Sequence, residues 1–204
     1  MTLQSPIPPL ILASESKSRA ALLTAAGLRF ETRPARIDES EIKRSARAEG
    51  IAADETALLL AELKAHRVAR TNPEALVIGA DQLLVCEDRW FDKPADLAEA
   101  AAQLRALRGR THTLVTAILC QRGEQRLWHH IARPHLTMRK FSDAFLADYI
   151  ALEGMALTTT VGSYRLEGPG AQLFDTVVGG HAAVLGLPLL PLLGFLRQHG
   201  VLAE

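Results

Sequence analysis

A chain of 204 residues, 48% of them hydrophobic, is long enough to bury a core and has the natural size of one domain. Its 23 lysine and arginine residues equal its 23 aspartate and glutamate residues, and this neutral balance argues against a nucleic acid polymer as partner. Cys86 and Cys120 lie in apolar runs without metal-binding spacing, which predicts buried free thiols in a cytoplasmic protein. We expect no secretion signal, because the first residues lack a basic start and a long apolar stretch. We expect no membrane span, because glycine and proline interrupt the apolar stretch from Ala182 to Leu196.

The first predicted elements are a buried strand over Leu10–Ala13 and a helix over Ala20–Ala26. The segment that joins them is rich in hydroxyl and basic side chains: Ser14, Ser16, Lys17, Ser18 and Arg19. The first N–H groups of a helix lack partners within it, and the helix dipole is positive there, so this junction predicts an anion site. The alternative is that Ser14 or Ser16 only caps the helix and that the basic residues are solvated.

A second, weakly alternating strand is predicted over Phe30–Ile37, and the carboxylates of Asp38 and Glu39 follow it. Because Mg²⁺ prefers oxygen ligands, such a pair at a strand end can hold a divalent cation. From the residues alone, an exposed acidic turn explains the pair better than a cation site does. The charged stretch Ser45–Asp54 is expected to be a mobile connection or the start of a helix.

Asp81 is the strongest candidate for a catalytic residue. It directly follows the predicted central strand Leu76–Ala80, and α/β proteins place ligand groups at the carboxyl ends of strands. A carboxylate there can hold a cation or accept a proton from water, whereas the alternative is a turn into the next strand. Further cations are supplied by Lys64, on a predicted helix over Asp54–Arg70, and by Lys93, whose backbone the following proline pushes toward an extended conformation. Taken singly, each is also typical of an ordinary solvated lysine.

The remaining runs alternate between strand-like and helix-like patterns, which is typical of an α/β protein. We predict a hairpin over Leu83–Phe91, helices over Leu97–Arg108, Ser142–Leu152 and Leu189–His199, and strands over Thr111–Cys120 and Arg126–Met138. The glycine-dense stretch from Gly162 to Gly180 predicts either a close backbone approach to a ligand or a surface loop. Within it, Tyr164 could stack on a base, and Glu167 could accept hydrogen bonds from a purine edge.

Taken together in chain order, these segments resemble the Maf family of nucleoside triphosphate pyrophosphatases almost from end to end. The resemblance is carried by Leu10–Arg19, Ile37–Glu39, Lys64–Ala65, Gly79–Gln82, Lys93–Pro94, Gly109–His112, Val115–Thr116, Glu167–Gly168 and Leu185–Pro188. It implies a single domain over residues 1–204. The implied fold is an elongated, mixed α/β sheet with flanking helices and two lobes around a deep cleft, as in Maf- and ITPase-like proteins.

The resemblance also implies hydrolysis of a nucleoside triphosphate to the monophosphate and pyrophosphate with Mg²⁺ or Mn²⁺, and it is compatible with a homodimer. By position, it implies that Asp81 is the proton acceptor, that Glu39 and Asp81 face the metal, and that catalysis also uses Lys64 and Lys93. The substrate-binding residues it implies are Ser14, Ser16, Ser18, Arg19, Gln82 and Glu167.

Base preference is predicted from two positions. Gln82 and Glu167 match the family branch that resembles 7-methyl-GTP pyrophosphatases, and a buried carboxylate at 167 would favour the N–H groups of guanine. Ser18 departs from the pattern of that branch. The alternatives are a pyrophosphatase that prefers dTTP or UTP, a nucleotide-binding regulator of cell division with little turnover, and a structural α/β domain.

Overall fold

The protein is described by a computed structural model over residues 3–203, which contains a mixed sheet and flanking helices. The strands are β1 (Leu10–Leu12), β2 (Glu31–Thr32), β3 (Leu76–Cys86), β4 (Arg89–Phe91), β5 (Thr111–Arg122), β6 (Gln125–Ala132), β7 (His135–Met138) and β8 (Phe174–Val178). The α-helices are α1 (Lys17–Ala25), α2 (Glu39–Ala48), α3 (Ala53–Ala69), α4 (Leu97–Leu107), α5 (Asp143–Glu153), α6 (His181–Val184) and α7 (Leu189–Gln198).

The strands form one sheet in the order β2-β1-β3-β5-β7-β8, to which β4 is added beside β3 and β6 beside β5. Strand β1 is parallel to both of its neighbours and pairs Leu10 with Leu76 and Leu12 with Ile78 of β3. The pairs β3–β4, β5–β6, β5–β7 and β7–β8 are antiparallel. The predicted mixed α/β fold is therefore confirmed.

The chain divides into two compact units. The first unit contains the described residues 3–81, 116–132 and 181–203. Its core is apolar and is formed by β1, the first half of β3, the second half of β5, and helices α1 and α7. Its members include Leu12, Leu23, Ile78, Ile118 and Phe195. Both predicted buried thiols are found as free cysteines, with Cys120 in this core.

The second unit contains residues 82–115 and 133–180. Its sheet portion consists of β4, β7, β8 and the remaining parts of β3 and β5. Leucine side chains on strands and helices are fully buried in it, among them Leu84, Leu104, Leu114 and Leu136. The prediction that residues 1–204 form a single domain stays a prediction.

Helix starts follow local capping chemistry. The side chain of Ser16 accepts a hydrogen bond from the backbone N–H of Arg19, and Ser142 accepts one from Phe145, so both predicted caps are confirmed. Asp38 caps α2 in the same way through the N–H of Glu41. Both Asp38 and Glu39 were predicted to follow a strand, and this was wrong, because they begin a helix.

Several predicted boundaries also differ from the structure. The strand predicted over Phe30–Ile37 is reduced to β2. The stretch Ser45–Asp54, predicted as a connection or a helix start, lies largely in the last turns of α2 and the link to α3. Arg126–Met138 is two strands, since the chain breaks its pairing at Arg133–Pro134. Among residues 3–203, no helix is both long and apolar enough to cross a membrane.

Candidate active site

The junction between β1 and α1 is organised by its own hydroxyl groups. Ser14 Oγ accepts a hydrogen bond from the N–H of Ser16 at 3.2 Å, and Ser16 Oγ accepts one from the N–H of Arg19 at 3.3 Å. Ser14 is buried, whereas Ser16 and Ser18 are partly buried. Both hydroxyl oxygens thus help to shape the start of α1, as the capping alternative predicted.

Arg19 lies in the first turns of α1, with only 8% of its surface exposed. Its Nε donates to the carbonyl oxygen of Gly186 at 2.8 Å. Its Nη1 donates both to Ser14 Oγ at 3.1 Å and to the carbonyl oxygen of Ala80 at 3.0 Å. Three N–H groups of the guanidinium therefore join three separate segments of the chain, and no hydrogen bond to a residue in 3–203 uses Nη2.

The charge of this guanidinium is surrounded by protein. Burial lowers the pKa of Arg19, and the carboxylates of Asp81 and Glu39 oppose that shift. Because arginine has a very high ordinary pKa, the group stays protonated. The Arg19 guanidinium can therefore attract an anion, and the nearby carboxylates of Asp81 and Glu39 can attract a cation.

Lys64 connects those two carboxylates. Its Nζ lies 2.5 Å from Asp81 Oδ1 and 2.7 Å from Glu39 Oε1. Lys64 and Asp81 are buried, whereas the side chain of Glu39 is partly exposed. The prediction that these three residues belong together rested on the resemblance, and the structure shows them in direct contact.

Asp81 lies inside β3 rather than after it, which corrects the prediction that the strand ends at Ala80. Pairing with β1 continues through Ile78, and β4 pairs with the far end of β3 from Leu84 onward. The polar pair Asp81–Gln82 interrupts the apolar pattern without ending the strand. As consecutive strand residues, their side chains point to opposite faces of the sheet.

A close backbone approach explains why Lys64 reaches Asp81. A Cβ atom at Gly79 would lie 2.1 Å from the carbonyl oxygen of Ala61 and 2.9 Å from the Cβ of Ala65, so only glycine fits there. Gly79 and Asp81 share one face of β3, and Ala61, Lys64 and Ala65 share one face of α3. The contact at Gly79 therefore brings α3 onto the strand at the level where Lys64 meets Asp81.

One oxygen of this cluster has no hydrogen-bond partner among residues 3–203. Asp81 Oδ2 is buried and makes no hydrogen bond with the described residues. Buried polar atoms are nearly always paired, so an unpaired carboxylate oxygen indicates a position meant for a cation or a water molecule. A negatively charged carboxylate oxygen is a hard ligand, so Asp81 Oδ2 suits Mg²⁺ or Mn²⁺.

The protein offers few ligands for such an ion. No group of three or more histidine, cysteine, aspartate or glutamate residues within 3–203 is arranged to hold a metal. Asp81 and Glu39 would therefore contribute one or two carboxylates, and phosphate oxygens and water would complete the coordination. That division is usual for Mg²⁺ in sites that act on phosphates.

The other predicted site residues belong to the second unit. Gln82 is partly buried in β3, and Lys93 is exposed in the segment after β4. Glu167 is exposed, and its Oε1 lies 3.9 Å from Arg165 Nε. The expectation that Glu167 is a buried carboxylate was therefore wrong, because it lies on a turn that leaves its side chain in solvent.

The expectation for Tyr164 was also wrong. Its ring is buried against Phe174, with ring centroids 4.8 Å apart, and its Oη lies 2.8 Å from His112 Nε2. A side chain that is packed and hydrogen-bonded in this way supports the loop and is not available to stack on a base.

Two glycines matter to the site, although residue chemistry alone did not single them out. Gly79 allows the approach of α3, and Gly186 supplies the carbonyl group that holds Arg19. A glycine inside a strand pattern often marks a close backbone approach, so that rule could have identified Gly79. Nothing comparable in the sequence links residue 186 to residue 19.

Known proteins match nearly the whole chain. The family described as "Maf-like protein" matches residues 9–199. A protein of Granulibacter bethesdensis named nucleoside triphosphate pyrophosphatase is 56% identical over 193 residues, covering 95% of this chain and 98% of the relative. One of Rhodospirillum rubrum with the same name is 52% identical, covering 96% and 97%. A protein of Rhizobium meliloti named 7-methyl-GTP pyrophosphatase is 46% identical, covering 96% and 98%.

Proposed function

The chain belongs to the family of Maf-like proteins, and from that premise we propose that it hydrolyses nucleoside triphosphates to nucleoside monophosphate and pyrophosphate. The observation that carries the proposal is the contact of Lys64 with Asp81 and Glu39, beside a buried Asp81 Oδ2 that has no hydrogen-bond partner in the described part of the chain. The names of the relatives from Granulibacter and Rhodospirillum support the same reaction.

In this reaction a water molecule attacks the α-phosphorus, and the bond from that phosphorus to the bridging oxygen of the β-phosphate breaks. Pyrophosphate leaves with the electron pair of that bond, and Asp81 accepts the proton of the attacking water. Lys64 engages only Oδ1 of the Asp81 carboxylate, so Oδ2 is open to the cation, and the remaining lone pairs of the carboxylate are available to accept the proton. A proton acceptor held in place by a neighbouring cation is favourable, because it needs no rearrangement when the bond breaks.

Glu39 and Asp81 would hold a divalent cation, Mg²⁺ or Mn²⁺. The cation would neutralise charge on the phosphates as it redistributes during cleavage. The donor set supports this assignment, since carboxylate oxygens are the ligands that these ions prefer.

The triphosphate chain needs cationic partners in the protein as well. We assign this role to Arg19, Lys64 and Lys93, together with the hydroxyl groups at the start of α1: Ser14, Ser16 and Ser18. The unused Nη2 of Arg19 is the atom best suited to a phosphate oxygen, because the other donors of the guanidinium are engaged within the protein. The neutral net charge supports a mononucleotide rather than a polymer as the substrate, and we place the activity in the cytoplasm.

For the base, we propose a preference for 7-methyl-GTP or another modified purine nucleotide over dTTP and UTP. The name of the Rhizobium meliloti relative supports this preference, as do Gln82 and Glu167. An exposed carboxylate at Glu167 still accepts hydrogen bonds and donates none, so it suits the N–H groups of guanine.

The test is a panel of nucleoside triphosphates with Mg²⁺ or Mn²⁺, in which pyrophosphate and orthophosphate are measured separately. We expect pyrophosphate and the monophosphate in equal amounts. Release of orthophosphate with a diphosphate would place the cut at another bond and contradict the assignment. Comparison of kcat/KM for 7-methyl-GTP, dTTP and UTP, before and after Glu167→Gln, then tests the base preference separately from the reaction.

A further inference from the structure

We propose that Gly186 is a positioning residue for the phosphate-binding guanidinium of Arg19, an inference that rests on the proposed function. The Nε of Arg19 donates to the carbonyl oxygen of Gly186 at 2.8 Å across 167 residues of sequence. Gly186 thereby holds the end of the side chain from a segment far from α1 in the sequence. No role of this kind follows from the residue types alone.

Glycine is strongly favoured at this place. The φ angle of Gly186 is +93°, a conformation that side chains disfavour. A Cβ atom there would lie 3.1 Å from Arg19 Nε and 3.4 Å from Nη2. A side chain at this position would therefore crowd Arg19 Nε, the atom that Gly186 holds, and would contact Nη2.

The turn that carries Gly186 is anchored independently of Arg19. The N–H of Gly186 donates to the carbonyl of Ala183 at 3.1 Å, which closes the end of α6. Thr116 Oγ1, on β5, donates to the same carbonyl at 3.0 Å from within the core. The turn that holds the Gly186 carbonyl oxygen is thus tied to the sheet through β5, and Arg19 binds an acceptor whose position does not depend on it.

The consequence is a fixed direction for Nη2. The guanidinium is planar, and its Nε and Nη1 are tied to Gly186, Ser14 and Ala80. With two of its three nitrogens fixed, the third has one orientation. A phosphate donor held in this way is preorganised, and small displacements of such groups cost rate strongly.

The first test compares Gly186→Ala with Gly200→Ala. Gly200 also has a positive φ, +66°, but a Cβ atom there would meet nothing within 4 Å, so it controls for backbone strain. We expect kcat/KM for the nucleoside triphosphate to fall up to about 100-fold in Gly186→Ala, and less than about 3-fold in Gly200→Ala. Equal effects of the two substitutions would overturn the proposal.

The second test is a double-mutant cycle with Arg19→Ala. If Gly186 acts through Arg19, adding Gly186→Ala to Arg19→Ala should cause no further loss of kcat/KM. Independent, multiplicative losses would contradict the positioning role while leaving the pyrophosphatase assignment intact. A wild-type protein without pyrophosphate release would instead remove the proposed function, and the positioning role with it.

A third variant keeps the proposal testable if Gly186→Ala does not fold. Thr116→Val preserves side-chain shape but removes the hydrogen bond that anchors the turn, and it leaves Arg19 and Gly186 unchanged. We expect a smaller loss of kcat/KM that also disappears in the Arg19→Ala background. A loss that persists in that background would overturn the proposal.

Discussion

Lys64 Nζ and Asp81 Oδ1 lie 2.5 Å apart although 17 residues separate them in the chain, and both side chains are buried. One comes from the middle of a helix and the other from the middle of a strand. A buried charge that loses its partner is costly, so each of these two residues constrains what can replace the other. Their pairing also orients the carboxylate, since only one of its oxygens is engaged.

Asp81→Asn should abolish most of the activity while preserving the fold. The substitution keeps the shape of the side chain but removes the proton acceptor, and loss of such a group typically lowers the rate by roughly 100-fold to 10,000-fold. Pyrophosphate release measures the effect, and circular dichroism checks the fold. Asp88→Asn, in the exposed turn before β4, is the matched control and should stay within about 2-fold of wild type.

Mn²⁺ should stabilise the wild-type protein and should do so less in Asp81→Asn. A ligand that binds only the folded state raises its stability by mass action, and the open Asp81 Oδ2 is the proposed contact. The thermal unfolding midpoint is measured with increasing Mn²⁺ in both variants and in Asp88→Asn. Identical shifts in all three would show that the ion binds elsewhere.

Gly79→Ala should destabilise the protein and lower its activity. Its Cβ atom would lie 2.1 Å from the carbonyl oxygen of Ala61, and overpacking of this kind typically costs about 1–3 kcal/mol. Urea unfolding measures the loss, and kcat/KM reports the shift of Lys64 away from Asp81. Gly194→Ala, in helix α7, is the control, because a Cβ atom there would meet nothing within 4 Å. This substitution should stabilise the protein by roughly 1 kcal/mol, since alanine favours the helix more than glycine does.

Stability should fall on acidification because of His112. Burial lowers the pKa of His112 to about 4 from an ordinary value of 6.5, and its Nδ1 makes no hydrogen bond with the described residues. Between these two values the unfolded chain binds a proton that the folded protein does not, so stability is lost as the pH falls. The contribution between pH 7 and pH 5 is about 2 kcal/mol.

The measurement is the free energy of unfolding at pH 7 and pH 5. His112→Gln should reduce the difference between the two values, whatever its effect at either pH alone. His129→Gln, at an exposed position in β6, should leave the difference as in wild type. An unchanged difference in His112→Gln would assign the acid sensitivity to other groups.

The elements that were predicted well are those with strong local patterns. Helix α3 was expected over Asp54–Arg70 and is found over Ala53–Ala69, because its apolar face repeats with the helical period. Helix α2 was missed, since only Lys43 and Ala46 of its residues are buried and the stretch reads as charged and small. Its start is capped by Asp38, a local interaction that leaves no apolar pattern in the sequence.

For the candidate site, the sequence predicted residues but not the contacts between them. Asp81 was recognised by its place after an apolar run, and Lys64 as a cation on an apolar helix. Their contact depends on how deeply α3 packs onto β3 at Gly79, which no pattern along the chain encodes. Likewise, the burial predicted for Glu167 failed because exposure is decided by the path of the surrounding turn.

The contact at Gly79 also limits how this protein can be re-engineered. The atom that a side chain at 79 would strike first is a backbone oxygen, so no replacement of Ala61 can make room for it. Ala65→Gly would relieve only the second, lesser clash. A search for suppressor substitutions of Gly79→Ala should therefore return few solutions. A library that redesigns the nucleotide preference does best to leave this position unvaried.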